Sequence, residues 1–299
     1  MASNPKPQFP SNVPRSTVNS PIGKVTRLGI SRGGVGDLYH VLLTSSWPRF
    51  LGMIVLAYLL VNVVFATIFV FVGGIEFARP GNFEDAFFFS VETLGTIGYG
   101  KMSPITTASN SVMVIESLTG MISVALMTGL IFSKFARPTA RVMWSRVLVI
   151  SPREGVPTLM FRLANERANN IVDASFRLTV LMDESTTEGE RLRRLHDLAL
   201  VRSSSPALSL TFTVMHAIVP GSLLHGKSPE DLAKLNAQFI CSMTGMDDTM
   251  NAVVHARKNY AHADLRWSSR FVDILSPLRD GSRLVDYTRF HDTETMGGG

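Results

Sequence analysis

A chain of 299 residues with 45% hydrophobic side chains is long enough for one or two domains with a substantial core. Its net charge of +5 comes from 29 Lys+Arg against 24 Asp+Glu, but the surplus lies before residue 50 and just after residue 133, flanking apolar runs. That placement suits anionic lipid headgroups and argues against nucleic acid, and the single cysteine, Cys241, excludes an intrachain disulfide and reads as a buried structural thiol.

Residues 1–34 are rich in Pro, Ser and Gly and hold no apolar h-region, so they are expected to be a flexible N-terminal tail and not a secretory signal. From Asp37, the positions Leu38, Val41 and Leu42 share one helical face. The segment 35–47 reads either as an interfacial slide helix or as a plain N-terminal stub. Phe50 to Gly74 carries no charge. At about 1.5 Å per residue it reaches about 37 Å, enough to cross a hydrocarbon core of about 30 Å. Pro48 fits the first turn and Gly73-Gly74 the end, so a transmembrane helix is expected over 48–74. A second span is expected over 105–135, interrupted by one charge, Glu116. Lys6, Arg15, Lys24, Arg27, Arg32 and Arg49 precede the first span, and Lys134, Arg137, Arg141 and Arg146 follow the second. The segment between is mostly acidic, so the positive-inside rule places both termini in the cytoplasm of a multi-pass protein.

Between the spans, Asn82 caps a short helix expected over 83–94, with Glu84 and Asp85 in its first turn and then Phe87-Phe88-Phe89. Three consecutive phenylalanines suit a loop that dips back into the membrane. Thr96-Ile97-Gly98-Tyr99-Gly100 follows and matches the potassium selectivity-filter signature. A dehydrating K⁺ needs rings of oxygens, and the carbonyls of Thr96, Ile97, Gly98 and Tyr99 can supply them. Carbonyls that all face one axis need alternating left-handed dihedrals, which Gly98 and Gly100 permit. One chain supplies a quarter of each ring, so the motif implies a homotetramer. The near-match of Gly95 to Lys101 with a phosphate-binding loop fails, because Met102 stands where Ser or Thr is required.

After residue 146 the pattern changes to short alternating runs: 147–150, 158–163, 175–182, 195–201, 208–215, 239–243, 271–275 and 284–287. Turn residues separate them, which suggests an antiparallel β-sandwich or barrel. Ser228-Pro229-Glu230-Asp231 begins one convincing helix. His196, His216 and His255 lack metal-ligand spacing, and no nucleophile elbow is present, so an enzyme is not expected. No cofactor is expected beyond K⁺ as permeant ion. A membrane-tethered binding module is the other class of reading, but it leaves the 96–100 motif without a purpose.

At these residues the chain resembles the bacterial inward-rectifier potassium channels, the KirBac family. The resemblance rests on the filter, on Ser46-Trp47-Pro48, on Phe87 to Thr93, on Thr128 to Phe132 and on Phe135-Ala136-Arg137-Pro138. Thr158-Leu159-Met160, His196-Asp197-Leu198 and Val254-His255-Ala256-Arg257 are further landmarks. It implies an α + β membrane protein: two transmembrane helices with a re-entrant pore helix and selectivity filter (48–136), an immunoglobulin-like cytoplasmic β-sandwich (137–292) and a flexible tail (293–299). Phe132 matches a gate at the bundle crossing, Gly120 and Gly129 match bending points, and Val124 matches the position where strongly rectifying relatives carry an acid. An apolar Val124 implies weak block by internal Mg²⁺ or polyamines. Helical spacing independently gives a lining face of Ser117, Met121, Val124, Thr128 and Phe132. Glu116 either adds negative potential to the cavity those residues line or pairs behind the filter; the sequence leaves both open. Glu92 matches a filter-bracing position whose partner in eukaryotic relatives is replaced here by Met102, so Lys101 is its expected partner. Arg49, Lys134, Arg137 and Arg141 imply control by anionic lipid, phosphoinositide included, or serve as a positive-inside anchor. No leader and no external cysteine pair are seen, which fits a bacterial inner (plasma) membrane.

Overall fold

The computed structural model describes residues 15–20, 23–29 and 35–296. Thr and Val favour extended backbone because branching at Cβ restricts χ1. Within the expected N-terminal tail, Arg15–Ser20 (β1) and Gly23–Leu28 (β2) accordingly pair antiparallel, with Thr17 opposite Thr26 and Val18 opposite Val25. A composition rule weighted by Pro, Ser and Gly missed these two local runs. The rest of that tail lies outside the described residues, apart from Gly29.

The segment Ile30–Arg137 forms one unit. Helix α1 (Val35–Thr44) precedes α2 (Trp47–Val72), which has Ser46 as N-cap and Pro48 in its first turn. Gly73 and Gly74 both adopt positive φ, 66° and 73°, and stop α2. A Cβ on Gly74 would lie 2.6 Å from the Thr106 side chain, so the close return of the chain there requires glycine. A two-residue ladder between β3 (Ile75–Glu76) and β4 (Ser103–Pro104) closes the loop that contains α3 (Phe83–Leu94). Helix α4 (Thr107–Phe135) starts with a reciprocal Thr106/Ser109 capping box. Phe65, Ala66 and Phe69 of α2 pack against Ala86 and Phe89 of α3, with the Phe69 and Phe89 rings edge-to-face at 5.0 Å. Most of the apolar surface of α2 and α4 is otherwise exposed in the single chain, Val55, Leu56, Leu118 and Leu126 among it. Surface of that kind has its partners in lipid or in neighbouring chains.

The second unit groups β1 and β2 with the chain from Pro138 onward. Its further strands are β5 (Val142–Trp144), β6 (Leu148–Arg153), β7 (Val156–Asn165), β8 (Ile171–Ser185), β9 (Arg191–Leu198), β10 (Ser204–Leu208), β11 (Thr211–Ala217), β12 (Gln238–Asp247), β13 (Ala252–Ala261), β14 (Leu265–Trp267), β15 (Ser269–Phe271), β16 (Leu275–Pro277), β17 (Arg283–Val285) and β18 (Thr293–Thr295). One sheet has the order β10-β8-β12-β13 with β9 against β8; the other has β11-β7-β6-β14 with β5 against β7. Phe176, Leu178 and Val180 of β8 and Phe239, Cys241 and Met243 of β12 alternate inward. They share one core with Leu159, Phe161 and Leu163 of β7, which makes an immunoglobulin-like sandwich. The 208–215 run is not one strand: the chain breaks after Leu208 and crosses to the other sheet at Thr211. Strand β13 was not expected, because three consecutive exposed polar residues, Arg257, Lys258 and Asn259, interrupt the alternation. The predicted helix is α5 (Pro229–Lys234), with Ser228 and Asp231 forming its capping box.

The C-terminal segment is also a correction. Thr293–Thr295, expected in a flexible tail, pairs as β18 with β15. Arg162 is buried on β7, donating to the carbonyls of Phe290 (2.6 Å), Val272 (2.8 Å) and Arg289 (2.9 Å). Its guanidinium stacks near Phe271 and Phe290. Burial lowers its pKa to about 10, which still leaves it charged at neutral pH.

Candidate ion pathway

The pore-domain loop is shaped by α3. Asn82 Oδ1 accepts the Asp85 N–H, and Arg79 grips Asp85 with Nε and Nη2 at 2.9 and 2.8 Å, which holds the loop against the N-terminus of α3. At the other end the amides that follow the helix turn back onto its last carbonyls. The N–H of Gly95 donates to Val91, that of Thr96 to Thr93, and those of Ile97 and Gly98 to Glu92 at 2.8 and 3.4 Å. This satisfies carbonyls that a helix end leaves unpaired and fixes the start of 96–100 to α3. Along that segment Thr96, Gly98 and Gly100 have positive φ of 53°, 59° and 75°. Ile97 and Tyr99 lie between them, 49% and 76% exposed in the single chain. No ion pair joins Glu92 and Lys101 among the described residues of one chain; Glu92 contributes its backbone carbonyl, and Lys101 is exposed.

Helix α4 turns Ser109, Glu116, Gly120 and Lys134 inward. Met121, Val124, Thr128 and Phe132 are exposed and Ser117 partly so, leaving the expected lining face free of intrachain burial. Glu116 does not belong with them. It is fully buried, its Oε1 hydrogen-bonded with Ser90 Oγ of α3, and Ser90 also lies 3.1 Å from Asn62 Oδ1 of α2. A charged or polar group inside an apolar bundle turns toward polar partners, and here these stand on the two neighbouring helices. Gly120 sits one turn further on, where a Cβ would approach the Leu94 carbonyl oxygen to 2.5 Å. Close packing accounts for that glycine. Gly129 has open space around it, and α4 is continuous through both.

Of the basic residues expected to meet lipid, Lys134 is already engaged. It is 9% exposed, and its Nζ donates to the carbonyls of Leu42 (3.3 Å), Leu43 (3.2 Å) and Ser45 (2.7 Å), closing the C-terminus of α1. The ammonium also lies over Trp47 and Phe50, 5.4 and 4.8 Å from the ring centres. Arg137 shares the Leu43 carbonyl but stays exposed. Arg49 borders a groove of about 570 Å³ with Val41, Thr44, Ser45, Gly52, Met53 and Leu56. Arg141 is exposed at the start of the β-unit.

Three histidines of the β-unit hydrogen-bond within it. His216 Nδ1 lies 2.6 Å from the Ala199 carbonyl and Nε2 2.8 Å from Ser222 Oγ, so a neutral ring donates to the first and accepts from the second. Burial pushes its pKa down. Burial likewise pushes the Cys241 thiol up, away from the reactive thiolate. His196 pairs with Glu184 at 2.7 Å and His255 with Thr244. Sequence reasoning overlooked Asn62 and Ser90, although Asn62 is an amide within an otherwise apolar run and Ser90 a hydroxyl behind three phenylalanines.

Two apolar helices bracketing a re-entrant helix and a glycine-bearing segment define a two-span pore-loop channel. Residues 53–137 match the family described as "Ion channel", and residues 142–297 match the "Inward rectifier potassium channel C-terminal domain". The chain is 44% identical over 285 residues to the inward rectifier potassium channel Kirbac3.1 of Paramagnetospirillum magnetotacticum, covering 95% of this chain and 97% of that one. It is 32% identical to the ATP-sensitive inward rectifier potassium channel 8 of Homo sapiens, over 71% of this chain and 52% of the relative. For the G protein-activated inward rectifier potassium channel 1 of Bos taurus the identity is 28%, over 94% of this chain and 62% of the relative. The chain belongs to the inward rectifier potassium channels: it is a membrane protein that conducts K⁺, and not an enzyme.

Proposed function

We propose that four copies of this chain surround one axis, with the carbonyls of Thr96, Ile97, Gly98 and Tyr99 replacing the hydration shell of K⁺. The observation that carries this reading is the run of positive φ at Thr96, Gly98 and Gly100, in a segment tied to the C-terminus of α3. Alternating dihedrals turn successive carbonyls to one side, and the negative end of the α3 dipole favours a cation nearby. The exposed Ile97 and Tyr99 side chains meet neighbouring subunits, which brace the segment from behind. Ser117, Met121, Val124 and Thr128 line the cavity below, and four Phe132 rings form its inner gate. Bending at Gly129 opens that gate. Val124 provides no ring of acids, so internal Mg²⁺ and polyamines block weakly.

Both termini lie in the cytoplasm, and the host membrane is a bacterial inner membrane. Arg49 and Arg137, exposed at the ends of α2 and α4, attract anionic lipid, phosphoinositide included, as does the exposed Arg141; each is worth about 1 kcal/mol. The test is ⁸⁶Rb⁺ uptake into liposomes holding the purified channel, with Ba²⁺, with internal Mg²⁺ and beside Gly98→Ser. Uptake blocked by Ba²⁺, little slowed by Mg²⁺ and lost in the variant is expected. Uptake that survives Gly98→Ser would contradict conduction through 96–100.

A further inference from the structure

Asn62, Ser90 and Glu116 come from three different helices, and each is fully buried. Asn62 Nδ2 donates to the Tyr58 carbonyl at 2.8 Å. That bond fixes the amide orientation: a flipped amide would set Oδ1 against a carbonyl oxygen, two acceptors face to face. Oδ1 therefore faces Ser90 Oγ and needs a hydrogen from it. Ser90 Oγ also touches Glu116 Oε1. One hydroxyl carries one hydrogen, so it cannot serve both oxygens. The other Glu116 oxygen, Oε2, is buried without a partner, and an ionised carboxylate so placed would carry an uncompensated charge through an apolar interior.

Both contacts of Ser90 are satisfied when the second hydrogen sits on Glu116, and Oε2 is then an uncharged carbonyl oxygen. We propose that Glu116 is a neutral carboxylic acid that donates through Oε1 to Ser90, which donates in turn to Asn62, and that this relay positions the filter. The inference rests on the channel reading above. Its leverage comes from register. Ser90 and Leu94 stand one turn apart on α3, and Glu116 and Gly120 stand one turn apart on α4. Ser90 meets Glu116, and Leu94 lies against Gly120, so α3 and α4 are keyed at two successive levels. Leu94 is followed by Gly95 and Thr96, so a shift of α3 along α4 moves the whole 96–100 segment. Glu116 and Ser90 are thus positioning residues that act through α3; neither touches the ion.

The test compares Glu116→Gln, Glu116→Leu and Ser90→Ala in the full-length channel in liposomes, reading K⁺ over Na⁺ discrimination in competitive flux. Gln keeps an N–H for Ser90 and should retain discrimination within about twofold, whereas Leu and Ala should lower it about tenfold. Infrared spectroscopy of the wild type should show a carboxylic-acid C=O band that Glu116→Gln removes. A Gln variant as impaired as the Leu variant, or a wild type without that band, would overturn the proposal. If Glu116→Leu does not assemble, the Gln variant and the band still decide. A wild type that conducts nothing would count against the channel reading instead, because the band is read without flux.

Discussion

Gly98, Gly120 and Gly129 lie in one unit and answer to different demands. Gly98 supplies a positive φ, Gly120 supplies room, and Gly129 meets nothing within contact distance. Gly120→Ala forces a methyl against a backbone oxygen that cannot rotate away, at a cost of about 1–3 kcal/mol. The thermal midpoint of the purified channel should fall accordingly, while Gly129→Ala should hold or raise it through helix propensity. An unchanged midpoint for Gly120→Ala would refute the close α3–α4 approach. His216 sets a pH dependence. Its folded pKa is depressed by burial, so the unfolded chain takes up the proton first, and stability falls as pH drops below about 6.5. The midpoint of the β-unit transition in the full channel should decline between about pH 7 and pH 5, with a shallower slope in His216→Asn. His291, also depressed by burial, contributes part of the same slope. At this scale the sequence revealed Glu116 by its charge but not its partners. Ser90 and Asn62 become a site only when three helices meet.

Helix α1 ends at Thr44, where Ser45 Oγ donates to the Leu42 carbonyl and Lys134, far along the chain, donates to the carbonyls of Leu42, Leu43 and Ser45. Lys134→Met keeps the apolar stem but removes the donors. Hydrogen exchange of the α1 amides should then accelerate about tenfold, with α2 amides unchanged. Equal exchange in both proteins would show that the cap contributes nothing to α1. The helices were legible because their signals are local: the charge-free run of α2, the Asn82 cap of α3, the Ser228 cap of α5. Strands were read less well. β13 hides its alternation behind Arg257 and Lys258, and β18 is ordered next to a segment that Arg162 anchors from β7. Such long-range contacts leave no trace in a short window of sequence.

For the whole molecule, the division of labour follows from solvent. The unit with exposed apolar helices belongs in lipid, where backbone groups must be paired within helices, and the irregular segment 96–100 pairs its first amides to α3. The sandwich buries its own core and needs no membrane. In the proposed tetramer each pore residue occurs four times, so a change at Gly98 alters all four members of its ring at once.

The most direct measurement is the reversal potential of channels in a planar bilayer with K⁺ on one side and Na⁺ on the other. Selection by the 96–100 carbonyls predicts a potential set by K⁺, abolished together with selectivity by Gly98→Ser. A wild-type potential near zero, or one that Gly98→Ser leaves unmoved, would contradict K⁺ selection by the 96–100 carbonyls.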